Sequence, residues 1–211
     1  AQLLASIPDA LPKEYAEDLR QLQSNAPPMG WTFVKRRMKS EFGADWQSKF
    51  QSFEREAAAA ASLGQVHRAV LPDGTDVACK LQYPDMSSAV EADLRQLACA
   101  SGVYRSYDKA RDPSGAVAAL FARAREELDY VREARHLRLY DEMFANESVV
   151  HVPAVHEAFS TERLLTMSWV HGSPLIDFIR GGASDEARRT VATNMFRAWY
   201  VPFYNYGVIH G

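Results

Sequence analysis

The sequence predicts an α+β fold, because helical and strand-like patterns occupy separate blocks of the chain. Apolar side chains recur at helical spacing in residues 12–25 and again in residues 31–41. Residues 63–71 and 75–83 are instead rich in strand formers, and the turn signal at residues 72–74 predicts that they pair as a hairpin. We therefore expect an antiparallel sheet accompanied by helices.

The remaining elements continue this alternation. Residues 87–107 and 116–144 have helical patterns, with a polar linker that contains proline and glycine between them. Two further strands are predicted at residues 152–159 and 163–170, on either side of a polar turn. A last helix is predicted over residues 184–205, with acidic side chains in its first turn. The order is helices, hairpin, helices, strand pair, helix.

The composition is that of an ordinary globular protein. Its 211 residues are 47% hydrophobic and 24% charged, and a net charge of -3 gives no reason to expect nucleic-acid binding. Cys79 and Cys99 lie among apolar neighbours, which is typical of buried thiols in a reducing compartment. We see no secretory signal and no apolar run of the about 18 residues that a membrane span requires.

A lysine that follows a loop of small residues suggests a nucleotide site. Residues 59–65 form a small-residue loop that leads into the first strand of the predicted hairpin, and the apolar-flanked Lys80 lies in the second strand. Small residues let backbone N–H groups approach phosphates, and the ammonium group neutralises phosphate oxygens. These residues fit equally well an alanine-rich helix start followed by an ordinary edge-strand lysine, so both interpretations stay open on this evidence alone.

A half-buried lysine needs a carboxylate partner, because an unpaired ammonium group is costly in apolar surroundings. If residues 116–144 form one continuous helix, Glu126, Asp129 and Glu133 lie on one flank. An apolar stripe that includes Val131 lies opposite, and Glu127 points elsewhere. The alternative is that these carboxylates form a solvated acidic face.

Four motifs in order give the chain a family resemblance. They are AAASLGQVH at residues 59–67, VACKLQYP at 77–84, ELDYVRE at 127–133 and LLTMSWVHG at 164–172. Together they resemble the UbiB/AarF atypical kinases, and the resemblance spans essentially the whole chain.

The resemblance implies a protein-kinase-like fold with three parts. Residues 1–50 would be an N-terminal helical extension, and residues 51–170 a kinase-like N-lobe with an antiparallel sheet. Residues 171–211 would be the exit from the hinge and the start of a helical C-lobe.

The resemblance also implies an ATP site. Lys80 would hold the α- and β-phosphates, and Glu133 would be its ion-pair partner. Met167 would be the gatekeeper, with backbone groups of Ser168 and Val170 at the adenine edge. The residues that would replace the usual glycine-rich loop are Ala59, Ala60, Ala61, Ser62 and Gly64.

A regulatory pair and a catalytic loop complete what the resemblance implies. Glu127 and Asp129 match the family's Glu-x-Asp motif, which in relatives faces an N-terminal element whose last residue corresponds to Gln2. Residues 208–211 resemble the start of the catalytic loop. We expect the catalytic aspartate and the residues that bind Mg²⁺ to lie beyond Gly211, and we expect this chain alone not to turn over nucleotide.

The leading hypothesis is an atypical kinase-like ATPase that supports quinone (coenzyme Q) lipid biosynthesis, a role implied by the family alone. ATP and Mg²⁺ are its expected ligands, and a quinone-precursor lipid or a membrane surface is a candidate partner. The expected location is cytoplasmic, with peripheral attachment to the inner membrane left open. Two alternatives remain: a small-molecule phosphotransferase of the aminoglycoside-kinase kind, and a pseudokinase or lipid-binding scaffold.

Overall fold

The computed structural model describes residues 29–61, 63–92, 95–96, 118–119, 122–123 and 125–209. Its centre is a five-stranded antiparallel sheet in the order β1-β3-β4-β5, with β2 also paired to β3. The strands are β1 (Ser52–Phe53), β2 (Ala59–Ala61), β3 (Gly64–Val70), β4 (Asp76–Gln82) and β5 (Leu164–Ser168).

The predicted hairpin at the centre of the sheet is confirmed. Strands β3 and β4 pair over their full length, from Gly64 opposite Gln82 to Val70 opposite Asp76. The turn between them is closed by the Thr75 amide, which donates to Asp73 Oδ1 at 2.9 Å. This side-chain to backbone bond is typical of aspartate in turns.

The structure also describes the helices α1 (Trp31–Phe42), α2 (Tyr130–Met143), α3 (Leu175–Arg180) and α4 (Asp185–Tyr206). The predictions for α1 and α4 are confirmed, whereas the short helix α3 was not predicted. Residues 86–92 and 95–96 are helical as predicted, but the rest of the 87–107 prediction lies outside the described residues. The helix predicted at 12–25 also lies outside them. None of the described helices is long and apolar enough to cross a membrane.

One predicted strand is wrong. Residues 152–159 form no strand: Val155 makes an isolated bridge to Met167, and the 3-10 helix Glu157–Phe159 follows. Pro153 has no N–H group to donate to a strand ladder, which explains why pairing here is short. The segment still lies beside β5, because the His156 amide donates to the Thr166 carbonyl at 2.9 Å.

The sheet has a different environment on each face. On one face α1 and the 3-10 helix Trp46–Lys49 cover the strands, and alternate residues of β4 enter that core. The buried members are Val34, Met38, Trp46, Phe50, Ala69, Leu71, Val77, Cys79, Leu81 and Leu164. The residues between them on β4, Ala78 and Lys80, therefore face the other side, where α2 packs on Leu165.

The packing of α1 bears on the predicted domain boundaries. Because α1 shares a core with strands beyond residue 50, the part of the extension that the structure describes is built into the sheet domain. The division at residues 50 and 170 stays a prediction. The α+β class is confirmed.

Gly64 is a position where the fold admits no side chain. A Cβ atom there would lie 2.2 Å from the Leu81 carbonyl oxygen, so the β3–β4 backbone would have to move. We expect Gly64→Ala to lower the free energy of unfolding by about 1–3 kcal/mol, the usual range for overpacking. Urea denaturation measures this loss.

Gly172→Ala is the matched control, since a Cβ atom there has nothing within 4 Å. Equal stability losses in the two variants would contradict the close approach at Gly64.

Candidate active site

The site begins at Lys80, near the centre of the sheet. Lys80 lies between Val66 on β3 and Leu165 on β5, on the face opposite α1. Its ammonium nitrogen Nζ lies 2.7 Å from both carboxylate oxygens of Glu133 on α2. The two side chains are 21% and 35% exposed, so the pair is half-buried and still open to a ligand. The ion pair that the resemblance implies is therefore present in the structure.

Tyr130 is a second partner of the lysine that the sequence did not reveal. Its ring centroid lies 4.8 Å from Lys80 Nζ, within the range of a cation–π interaction. Tyr130 is only 1% exposed, and its burial, followed by the nearby charge of Glu133, raises the pKa of its hydroxyl. The phenol therefore stays neutral at physiological pH. The sequence signal that could have identified Tyr130 as a partner of Lys80 is its spacing, since Tyr130 precedes Glu133 by three residues and shares its helix face.

The helix that carries Glu133 starts later than the sequence predicts. A continuous helix over residues 116–144 is wrong, because the chain leaves helical geometry at residues 127–129 before α2 starts at Tyr130. The amides of Leu128 and Asp129 donate to carbonyls three residues back, which tightens and ends the preceding turn. Asp129 Oδ1 then accepts from the Arg132 amide at 2.8 Å and caps α2.

This break changes which side chains face the site. Glu127, expected to point elsewhere, lines the cavity beside Lys80, together with Glu126 and Glu133. Val131, expected in an apolar stripe, is exposed. Periodicity alone gave the wrong faces because the new helix begins in a new orientation.

The cavity between the sheet and α2 has a volume of about 860 Å³, within the range of small-molecule sites. Its wall is strongly charged, and Glu126 is already paired with Arg132 at 2.8 Å. Lys80 and Glu133 lie on this wall. The other lining residues are Ala60, Ala61, Leu63, Arg123, Glu126, Glu127, Tyr130, Arg132, His136, Leu137, Tyr140, His151, Val152, Pro153 and Ile209.

The alanine segment forms one strand of a tight hairpin over this cavity. Ala59, Ala60 and Ala61 are strand β2, which pairs with Val66, Gln65 and Gly64 of β3. Ala60 and Ala61 line the cavity, whereas Ala59 and Gly64 do not. Ser62 lies outside the described residues. The small side chains of this strand leave room for a ligand under the hairpin.

The hinge residues Met167, Ser168 and Val170 lie at the end of β5 and do not line the cavity. The Ser168 amide is occupied, since it donates to the Ala154 carbonyl at 2.8 Å. Of the two backbone groups of Ser168, only the carbonyl is therefore a candidate for contact with an adenine ring. Val170 is exposed.

Trp169, which lies between Ser168 and Val170, is held by two contacts with the sheet that the sequence did not reveal. Its amide donates to the Asp76 carbonyl at 3.0 Å, and the Arg68 guanidinium carbon lies 5.3 Å from its ring centroid. Arg68 also donates to Asp76 Oδ2 at 2.9 Å, which lowers the pKa of that carboxyl.

The residues expected to regulate the site or bind metal are only partly described. Gln2 lies outside the described residues. Among the residues that the structure does describe, no group of three or more His, Cys, Asp or Glu is close enough to hold a metal ion. The described part of the site therefore offers a cation for an anionic ligand.

Asp129 is a helix cap as well as a member of the Glu-x-Asp motif, and the two roles can be separated. Asp129→Ala should lower the free energy of unfolding by about 1 kcal/mol, because the Arg132 amide loses its acceptor. Asp129→Asn keeps an oxygen that can accept this bond and should leave stability nearly unchanged. Urea denaturation of both variants tests this, and equal losses would contradict the capping role.

Comparisons with known proteins agree with this geometry. A family model described as the ABC1 atypical kinase-like domain matches residues 21–211. The chain is 34% identical over 174 residues to atypical kinase coq-8, mitochondrial, of Caenorhabditis elegans. It is 32% identical over 187 residues to atypical kinase COQ8, mitochondrial, of Saccharomyces cerevisiae. These alignments cover 82% and 89% of this chain but only 23% and 37% of the two relatives.

A solved structure is also similar. It is the complex of Rv3197 with erythromycin from Mycobacterium tuberculosis, with a TM-score of 0.78 and 31% sequence identity, and the match covers 100% of this chain and 53% of that one. The fold is therefore kinase-like, and the chain spans about half or less of each of these relatives. Since the family model covers nearly all of the sequence, this chain belongs to the ABC1 atypical kinase-like family, as its UbiB/AarF-type motifs predicted.

Proposed function

We propose that the cavity between β4 and α2 binds ATP. The observation that carries this proposal is the Lys80–Glu133 pair on the wall of a cavity of about 860 Å³. An ammonium group on a side chain that is 21% exposed and lines a cavity can bind a phosphate oxygen. Glu133 and the ring of Tyr130 hold the ammonium in place before the ligand arrives. Such preorganisation lowers the cost of binding.

The surroundings of Lys80 support a nucleotide over other anions. Ala60 and Ala61 place a strand with small side chains beside the cavity, which allows close approach of a phosphate chain. Met167 and Ser168 end β5 and Val170 follows it. We propose that the adenine ring lies against this segment, next to the cavity that holds the phosphates. In this proposal Ala59 and Gly64 shape the hairpin, Ser62 stays an expected member of the phosphate-binding loop, and Glu127 and Asp129 border the phosphate end.

Membership of an atypical kinase family supports phosphoryl-transfer or ATPase activity in the longer proteins of this family, with Mg²⁺ as the metal. The described residues provide no ligand set for this ion, so the proposal assigns it no ligand in this part of the chain.

We further propose a link to quinone lipid biosynthesis, which is supported by the similarity to the proteins named coq-8 and COQ8. A quinone-precursor lipid or a membrane surface would then be the partner, and the location would be cytoplasmic with peripheral attachment to a membrane. Quinone content in cells that carry Lys80→Ala in the longer protein tests this link. Unchanged quinone content would contradict it.

Lys80→Ala should weaken ATP binding by about 10- to 100-fold, because a hydrogen bond to a charged group contributes about 1.5–3 kcal/mol. Calorimetry with ATP in the presence of Mg²⁺ measures this loss. Lys39→Ala is the control, since Lys39 is an exposed lysine in the last turn of α1. Equal affinities in wild type and Lys80→Ala would contradict the proposed site. Absence of binding in both would favour the scaffold alternative.

The 211-residue chain alone should hydrolyse ATP no faster than its Lys80→Ala variant. Phosphoryl transfer depends on charge stabilisation by a metal ion, and the described residues provide no ligand set for one. A phosphate-release assay on both proteins, with a full-length member of the family as a positive control, measures this. A rate well above the variant would contradict the proposal that turnover needs further groups.

A further inference from the structure

A buried polar network joins strand β3 to the chain just before α1. The side-chain amide of Gln65 bonds to both backbone groups of Met29: Oε1 accepts from the Met29 amide at 2.7 Å, and Nε2 donates to the Met29 carbonyl at 3.3 Å. Gln65 is 2% exposed and therefore fixed in place. It binds the backbone ahead of α1 much as a neighbouring strand would.

The orientation of Gln65 is determined by Met29. Because the backbone of Met29 offers one donor and one acceptor, only one assignment of the Gln65 oxygen and nitrogen satisfies both bonds. That assignment directs Gln65 Nε2, a donor, towards His67 Nε2 at a distance of 2.7 Å. His67 Nε2 must then be the acceptor, and it can accept only when it carries no proton.

The other ring nitrogen of His67 completes the assignment. His67 Nδ1 lies 2.9 Å from the Glu54 carbonyl oxygen, which can only accept, so Nδ1 carries the proton. The network thus specifies the neutral imidazole with its hydrogen on Nδ1. His67 is 0% exposed and stacks on the ring of Phe53, so its orientation is fixed as well.

We propose that Gln65 is the residue that anchors the N-terminal segment to strand β3, and that this anchor holds only while His67 is neutral. A proton on Nε2 would place two donors against each other at 2.7 Å. Gln65 could relieve this contact only by turning its amide, and its nitrogen would then face the Met29 amide. Either outcome weakens the hold on the segment that leads into α1.

The anchor lies close to the cavity, although it does not depend on the proposed ATP site. Gln65 pairs with Ala60 on β2, which lines the cavity, and with Leu81 on β4, which is next to the lining residue Lys80. Loss of the two bonds to Met29 would therefore occur beside the hairpin over the site. The anchor is a candidate pH-sensitive connection between the N-terminal segment and that hairpin.

The groups that surround His67 affect its protonation state in different directions. Glu54, after β1, binds Nδ1 through its carbonyl, and its negative charge favours protonation of the ring. Arg55 lies over Trp31, whose ring packs beside His67 from α1. Cys79, opposite His67 on β4, has its pKa raised to about 12 by burial and stays neutral. Burial is the largest effect on His67 and lowers its pKa.

The lowered pKa fixes the sign of the pH dependence. Below the ordinary pKa of about 6.5 the unfolded chain takes up a proton that folded His67 resists, so stability falls as the pH decreases. Urea denaturation of the chain between pH 8 and pH 5.5 should show this loss. Hydrogen exchange should show the Met29 amide losing at least about tenfold in protection over the same range, after correction for intrinsic rates.

Two variants separate the network from simple burial. His67→Gln removes the titrating group and should flatten the pH profile, whereas His171→Gln, at an exposed histidine, should keep the wild-type profile. Gln65→Glu turns the donor that faces His67 into an acceptor, which favours protonated His67. In this variant the carboxylate raises the pKa of folded His67 relative to the wild type, so stability should no longer fall as the pH decreases to 5.5.

The Gln65→Glu result and the exchange of the Met29 amide do not require His67→Gln to fold. A Gln65→Glu protein that still loses stability towards acid pH would overturn the proposal. Met29 protection that does not change between pH 8 and pH 5.5 would also overturn it.

Discussion

The contact between Lys80 and Glu133 joins the central strand of the sheet to helix α2, and the geometry of the site depends on it. A half-exposed ion pair contributes only about 1 kcal/mol or less to stability. Its importance is in position: it fixes the ammonium group at a defined point on the cavity wall. The ring of Tyr130 contacts the same ammonium group through a cation–π interaction, so two residues of α2 orient Lys80.

The division of the sheet into two faces makes this arrangement possible. One face carries the apolar core under α1, which supplies the burial that stabilises the domain. The other face is covered only in part by α2, so it can present Lys80 to a cavity. The β3–β4 hairpin forms the centre of the sheet. Gly64 allows its two strands to approach closely where the alanine strand β2 joins. The Gln65 anchor fixes this same corner to the N-terminal segment.

Sequence reasoning found the parts that depend on local pattern. The hairpin, α1 and α4 followed from periodicity and turn residues, whereas the contact between Lys80 and Glu133 was implied by the family resemblance. It failed where local hydrogen bonding decided the outcome: the predicted continuous helix is interrupted at residues 127–129 and begins again with Asp129 as the cap of α2, and Pro153 cannot donate to a strand ladder. Tyr130 and the His67–Gln65 network depend on contacts between distant segments, which periodicity does not reveal. The roles of the hinge residues and of Glu127 in binding stay predictions.

The most direct test of this account is a double-mutant cycle on ATP affinity with Lys80→Met, Glu133→Gln and the double variant. If Glu133 acts by holding Lys80 against the phosphates, each single change weakens binding, and Glu133→Gln adds almost nothing once Lys80 is gone. The account predicts this strong non-additivity. Losses that simply add, or affinity that no variant changes, would contradict the claim that this pair forms the centre of a nucleotide site.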